Sequence, residues 1–156
     1  MDLHIWGWSS LDAGQVDIAR FDPRLEVFDT AKSRVRGVTP LHLAIHVGAR
    51  FMETGAEAKH LIVTTDGQPV FARRDGGHYG DSQLKAFARR EVRQARKKGI
   101  NVTGVLISGE WHSLSDDEMR FMFGNRRHWH RMSDNQFGRD LIRLVTTSFT
   151  GYLKRG

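Results

Sequence analysis

The stretch that most constrains this chain is residues 60–69, His-Leu-Ile-Val-Thr-Thr-Asp-Gly-Gln-Pro. Leu61, Ile62 and Val63 form a short apolar run rich in β-branched residues, and Thr65, Asp66 and Gly67 stop it with a turn signal. Such a run reads as a strand buried on both faces, the kind found in parallel sheets. Gly67 permits the turn and Pro69 keeps the strand from continuing. Asp66 then falls at the carboxyl end of the strand, where open α/β sheets bind their ligands. Asp-Gly is also a common turn pair, so turn chemistry alone is the competing role for Asp66.

Around that strand the chain alternates. Residues 2–8 and 16–21 read as strands, the second with one wet face. Asp22 and Pro23 form a turn, residues 25–28 extend or pair with the preceding strand, and residues 32–36 form a basic loop. Thr39 is a natural N-cap, with Pro40 at the first helical position. Leu41, Ala44, Ile45, Gly48, Phe51 and Met52 then repeat at helical spacing, with Gly55 as the stop. A second helix starts at Asp81 or Ser82 and buries Leu84, Phe87, Ala88, Val92 and Ala95. Its outer face carries Lys85, Arg89, Arg90, Arg93, Arg96, Lys97 and Lys98, and Gly99 ends it.

Residues 102–107 form the next β-branched run. Ser115 and Glu118 match a capping box ahead of residues 119–123. Residues 127–132 read as a short edge strand. Phe137, Leu141, Leu144, Val145, Ser148, Phe149 and Tyr152 mark a closing amphipathic helix. From Gly37 onward the order is helix, strand, helix, strand, helix, strand, helix. This alternation predicts an α/β fold in three layers, a mostly parallel sheet with helices on both faces. With 156 residues the chain fits a single domain, 1–156.

Charge and composition narrow the function classes. The formal net charge is +6 and the pI is about 10.2, which favours acidic partners such as nucleic acid or an acidic protein face. The absence of cysteine excludes disulfides, thiolate metal sites and cysteine nucleophiles, and it fits a cytoplasmic location. No long apolar run is present, so neither a membrane span nor a secretory signal is expected.

Other constellations compete for a role. His42 and His46 are four apart on a helix, a spacing that can hold zinc, but position 43 is leucine and no third ligand is signalled. His128, Trp129 and His130 lie among Arg126, Arg127 and Arg131, a mixture that could stack on single-stranded nucleic acid. On a period of two, an edge strand with Trp129 packed inward is the simpler account. The basic face at Arg89, Arg90, Arg93, Arg96 and Lys97 is the densest positive patch and the first choice for an acidic partner. Gly76, Gly77 and Gly80 lack the Gly-Lys-Ser/Thr of a phosphate loop, and no nucleophile elbow marks a serine.

Two motifs taken together carry a family resemblance. Gly37, Val38, Thr39 and Pro40 open a helix, and Thr64, Thr65, Asp66, Gly67, Gln68 and Pro69 end the following strand. The pair resembles the later half of a von Willebrand factor A (vWA) domain. The nearest branch is that at the C-termini of cobaltochelatase CobT-type subunits and nitric oxide reductase activation NorD-type proteins. His78, Tyr79 and Gly80 before the basic helix, Lys98 to Ile100 before a strand, and Phe121 to Gly124 fit that branch. So does the stretch 2–10, which is similar to the family's second strand.

The resemblance implies a non-enzymatic adaptor, a partner of a MoxR- or CobS-like AAA+ ATPase in metal insertion or complex remodelling. It further implies a Mg2+ site in which Thr39 and Asp66 are ligands. The family's Asp-x-Ser-x-Ser run is missing: Ser9 and Ser10 follow Trp8, and position 7 is glycine. The chain therefore reads as truncated at its N-terminus relative to the family, without a first strand. Two explanations follow. Another polypeptide supplies that strand, or the family's second and fourth strands pair directly. A basic nucleic-acid-binding protein is the alternative function.

Overall fold

The computed structural model describes residues 5–9, 17–21, 40–53, 59–65, 67, 69–70, 77, 79–108 and 114–153. The parallel part of the fold follows the expected alternation. Helix α1 (Leu41–Phe51) precedes β3 (Lys59–Thr65), α2 (Asp81–Lys97), β4 (Ile100–Ser108), α3 (Asp116–Phe123), β5 (Trp129–Ser133) and α4 (Phe137–Leu153). The three strands form one sheet in the order β3-β4-β5, and both pairings are parallel. The two N-terminal strands, β1 (Ile5–Ser9) and β2 (Asp17–Phe21), pair antiparallel with each other in a separate sheet. Among the described residues β1 does not pair with β3, so direct pairing of the family's second and fourth strands is not what forms. Residues 25–28 and 32–36 lie outside the described residues.

Helix boundaries differ from expectation by small, explicable steps. Pro40 is itself the N-cap of α1: its carbonyl accepts from the N–H groups of Leu43 and Ala44 at 2.9 and 3.1 Å. Thr39, expected in that role, lies outside the described residues. The helix stops at Phe51, short of Gly55, because its last turn tightens: Met52 N–H bonds to the Ala49 carbonyl. Gly80, not Asp81 or Ser82, caps α2, with Gln83 Oε1 accepting from the Gly80 N–H at 3.3 Å. The capping box at α3 forms as expected, with Ser115 N–H donating to Glu118 Oε2 at 2.7 Å. Gly99 takes φ +77 after α2, which a side chain would resist.

Register decides which side chains meet. Leu61 lies opposite Val102, and Val63 opposite Gly104, so these share one face with Ile100 and Leu106. Helices α1, α2 and α3 cover that face. Leu41, Ile45, Ala88, Val92, Met119 and Phe123 pack onto it, and Trp129 joins them from β5. Two glycines allow the close approach of helix and sheet. A Cβ on Gly104 would lie 2.6 Å from the Phe123 ring, and one on Gly48 would lie 2.9 Å from Leu61. Helix α4 packs on β5, with Phe137, Leu141, Leu144 and Val145 only half-buried and Ile142 69% exposed.

Candidate functional site

The two expected metal ligands flank described elements without being described themselves. Thr39 and Asp66 both lie outside the described residues. The elements they adjoin are informative. Lys59 Nζ, at the start of β3, donates to the Glu53 carbonyl just past the end of α1 at 3.0 Å. Further along, Gly48 abuts Leu61. Helix and strand therefore run in opposite directions, and the start of α1 shares an end of the sheet with the finish of β3. At that finish Thr65 is buried, and its hydroxyl donates to the Gly67 carbonyl at 3.1 Å. Among the described residues no group of three His, Asp or Glu side chains is arranged to hold a metal ion.

The basic face of α2 is largely committed to internal contacts. Lys85 pairs with Glu118 of α3, and Lys98 pairs with Glu53. The Arg89 guanidinium sits 4.6 Å from the centre of the Phe121 ring, and Arg90 lies 5.5 Å from Phe87 while bonding Glu91 Oε1 at 3.2 Å. Arg96 departs from the outward orientation expected of it. Its Nη2 donates to the carbonyls of Val102 and Phe123 at 2.9 and 2.8 Å, tying α2 to β4 and to the end of α3. Adjacent to Ala95 in the buried stripe, it reaches inward, and burial lowers its pKa. Arg93 and Lys97 are exposed and have no side-chain partner among the described residues.

One buried group escaped the sequence reading. Glu91 is 7% exposed and occupies the stripe position between Ala88 and Ala95, where the expected pattern held only apolar residues. Its Oε2 accepts from His46 Nδ1 at 2.9 Å across the α1–α2 contact. The helical spacing of residues 84, 88, 91 and 95 was the available signal. His42, on the same flank of α1, packs 5.6 Å from Phe87. Burial holds its pKa below the ordinary histidine value, partly offset by Glu91 and reinforced by Arg90. The histidine pair is thus part of a helix–helix contact.

The cluster at residues 126–131 is also turned inward. Trp129 is 1% exposed, with the Arg126 guanidinium 3.9 Å from its ring centre. Arg131 donates to the Leu114 carbonyl at 2.8 Å and to Asp116 Oδ1 at 2.9 Å. The aromatic side chain is therefore not available to stack on a base, and the inward edge-strand account holds.

The sheet face opposite α1–α3 collects polar groups. His60, Ile62 and Thr64 of β3 line it beside Asn101, Thr103 and Val105 of β4, and His130 lies opposite Val105. His60 Nε2 and Thr103 Oγ1 are 2.8 Å apart. Burial lowers the pKa of His60, His128 and His130. His128 adds to the effect on His60, Arg96 and Arg127 to that on His128, and Arg126 to that on His130.

Compared with known proteins, the chain matches no family model, no curated protein and no solved structure.

Proposed function

We propose that this chain is a non-enzymatic protein-interaction module of vWA type. It acts as an adaptor for a MoxR- or CobS-like AAA+ ATPase, with helices on both faces of its sheet in the assembled state. The observation that carries this reading is the shared sheet end from which α1 starts and β3 finishes. Thr39 and Asp66 adjoin those two points in sequence, one hydroxyl and one carboxylate. A single carboxylate does not make a magnesium site, because Mg2+ dehydrates reluctantly and needs near-octahedral oxygen ligation. The donor set in this chain is thus incomplete, and partner oxygens or water would complete it. On the basic helix, Arg93 and Lys97 are the cations with no internal partner among the described residues, and they offer an acidic surface its contact.

Co-purification with such an ATPase tests the reading. Binding is expected in magnesium, with loss on Asp66→Ala and in EDTA. Retention through both changes removes the metal-mediated adaptor.

A further inference from the structure

Helix α2 turns a mixed surface outward, and its two halves differ. Leu84, Ala88, Glu91, Val92 and Ala95 form the buried side of the helix. At about 100° per residue the opposite side carries Ser82, Ala86, Arg93 and Lys97, with Arg89 turned toward α3. Those four opposite-side residues are all exposed. The first half of this ridge is therefore small and the second half cationic. Beside the first half, Asp81, Ser82, Lys85 and Phe121 line an open depression of about 560 Å³ between α2 and α3. Phe121 is 43% exposed, and Lys85 is held in its pair with Glu118.

The charges on this surface do not balance. Of the carboxylates on α2 and α3, Glu91 is bonded by His46 and Arg90, Glu118 by Lys85 and Asp117 by Arg120, while Asp116 pairs with Arg126 and Arg131. Arg89 lies over the Phe121 ring, and Arg93 and Lys97 have no side-chain partner among the described residues. These cations therefore stand without a carboxylate among the described residues, Arg93 and Lys97 one helical turn, about 6 Å, apart. Asp81, the remaining carboxylate, begins the helix, about 12 Å along its axis from Arg89. Arginine beside an aromatic ring is a combination in which protein interfaces are enriched. A nucleic-acid strand fits the same arrangement poorly. The Arg89 guanidinium, 4.6 Å from the ring centre, already covers the ring on which a base would stack, and a phosphate backbone following the ridge would run into Asp81.

We infer that this surface docks a short acidic helix of a partner protein. An apolar side chain of that helix fills the depression against Phe121, and carboxylates one turn apart meet Arg93 and Lys97. The small side chains of Ser82 and Ala86 let the partner's backbone come close over the first half of α2. Recognition is of the helix-in-groove kind, the apolar contact giving affinity and the charges giving orientation and association rate. The inference rests on the interaction-module reading above and names the surface through which the module works and the chemistry of what it binds.

The test uses the full chain in EDTA, so that no metal at Asp66 contributes. The probes are fluorescein-labelled helical peptides of roughly fifteen residues. Each carries two glutamates one turn apart and a leucine placed one, two or three turns before them on the same face. Anisotropy at low salt is expected to show saturable binding. The double variant Arg93→Glu, Lys97→Glu should weaken it about tenfold or more, and Phe121→Ser about fivefold or more. These side chains are exposed, and unchanged circular dichroism confirms that the variants fold. Absence of saturable binding by all three peptides overturns the inference, as does binding that either variant leaves intact. A single-stranded oligonucleotide that binds more tightly than the peptides, and is released by the same charge reversal, would assign the surface to nucleic acid and also overturn it. Since metal is absent throughout, failure here leaves the Asp66-dependent adaptor reading standing, and failure of that reading leaves this result standing.

Discussion

At one edge of the parallel sheet, β5 is closed by its own side chains: Trp129 is buried beneath Arg126, and Arg131 is bonded to Leu114 and Asp116. At the other edge, β3 has half-buried Leu61 on the face under α1 and half-buried Ile62 on the opposite face. Among the described residues both strands are edges, and side-chain contacts that close the strand are seen at β5. The difference teaches that strand composition and strand position are separate facts. Edge β5 carries His130 and Arg131, whereas β3 has the apolar run of a central strand.

If that contrast is right, stability should concentrate at β5. Trp129→Ala removes a fully buried indole and should cost about 3–5 kcal/mol, read from the midpoint of urea unfolding. A loss below about 1 kcal/mol would show that the β5 edge is not closed in this way. Gly104→Ala comes next. The added Cβ would lie 2.6 Å from the Phe123 ring, so a cost of about 1–3 kcal/mol is expected. Phe123→Leu in the same chain should recover part of it, and no recovery would place the strain elsewhere.

Acid should act more gradually and at both edges. His42, His60, His128 and His130 all have pKa values lowered by burial from the ordinary 6.5. Below pH 6.5, and down to the lowered native values, the unfolded chain binds more protons than the native one, so stability falls as pH falls. Glu118, held below the usual carboxylate range first by Lys85 and then by the Ser115 backbone, extends the loss below pH 4.5. Urea midpoints that stay flat between pH 7 and 5 would contradict the neutral, buried histidines. The smallest effect belongs to the β3 edge: Ile62→Lys should cost roughly 1 kcal/mol, because its side chain is only partly buried. A cost as large as that of Trp129→Ala would mean that β3 is covered.

The alternation from Leu41 to Leu153 was legible because each signal was local. The β-branched runs at residues 61–63 and 102–107, the Ser115 capping box and the Gly99 stop all describe the backbone in one place. What was hidden needed tertiary information. Glu91 reads as a surface charge until His46 arrives from another helix, and Arg96 reads as one until the carbonyls of Val102 and Phe123 come within reach. The apolar run in β3 says that both faces want cover but not whether a neighbour is present to give it. The division of the strands into two sheets was invisible for the same reason, since β1 and β2 carry no mark of what they fail to pair with. Of the candidate site, the start of α1 beside Thr39 and the finish of β3 beside Asp66 were legible in the sequence.

Residue-resolved amide exchange along β3 and β4 bears most directly on the pairing of β3 with β4 alone among the described strands. In a parallel strand successive residues direct their N–H groups to opposite sides. The account predicts slow exchange throughout the centre of β4 and an alternating pattern in β3, every second amide exchanging as freely as a loop. Uniformly slow exchange along all of β3, at every protein concentration, would mean that the edge is already paired within the chain and would contradict the account.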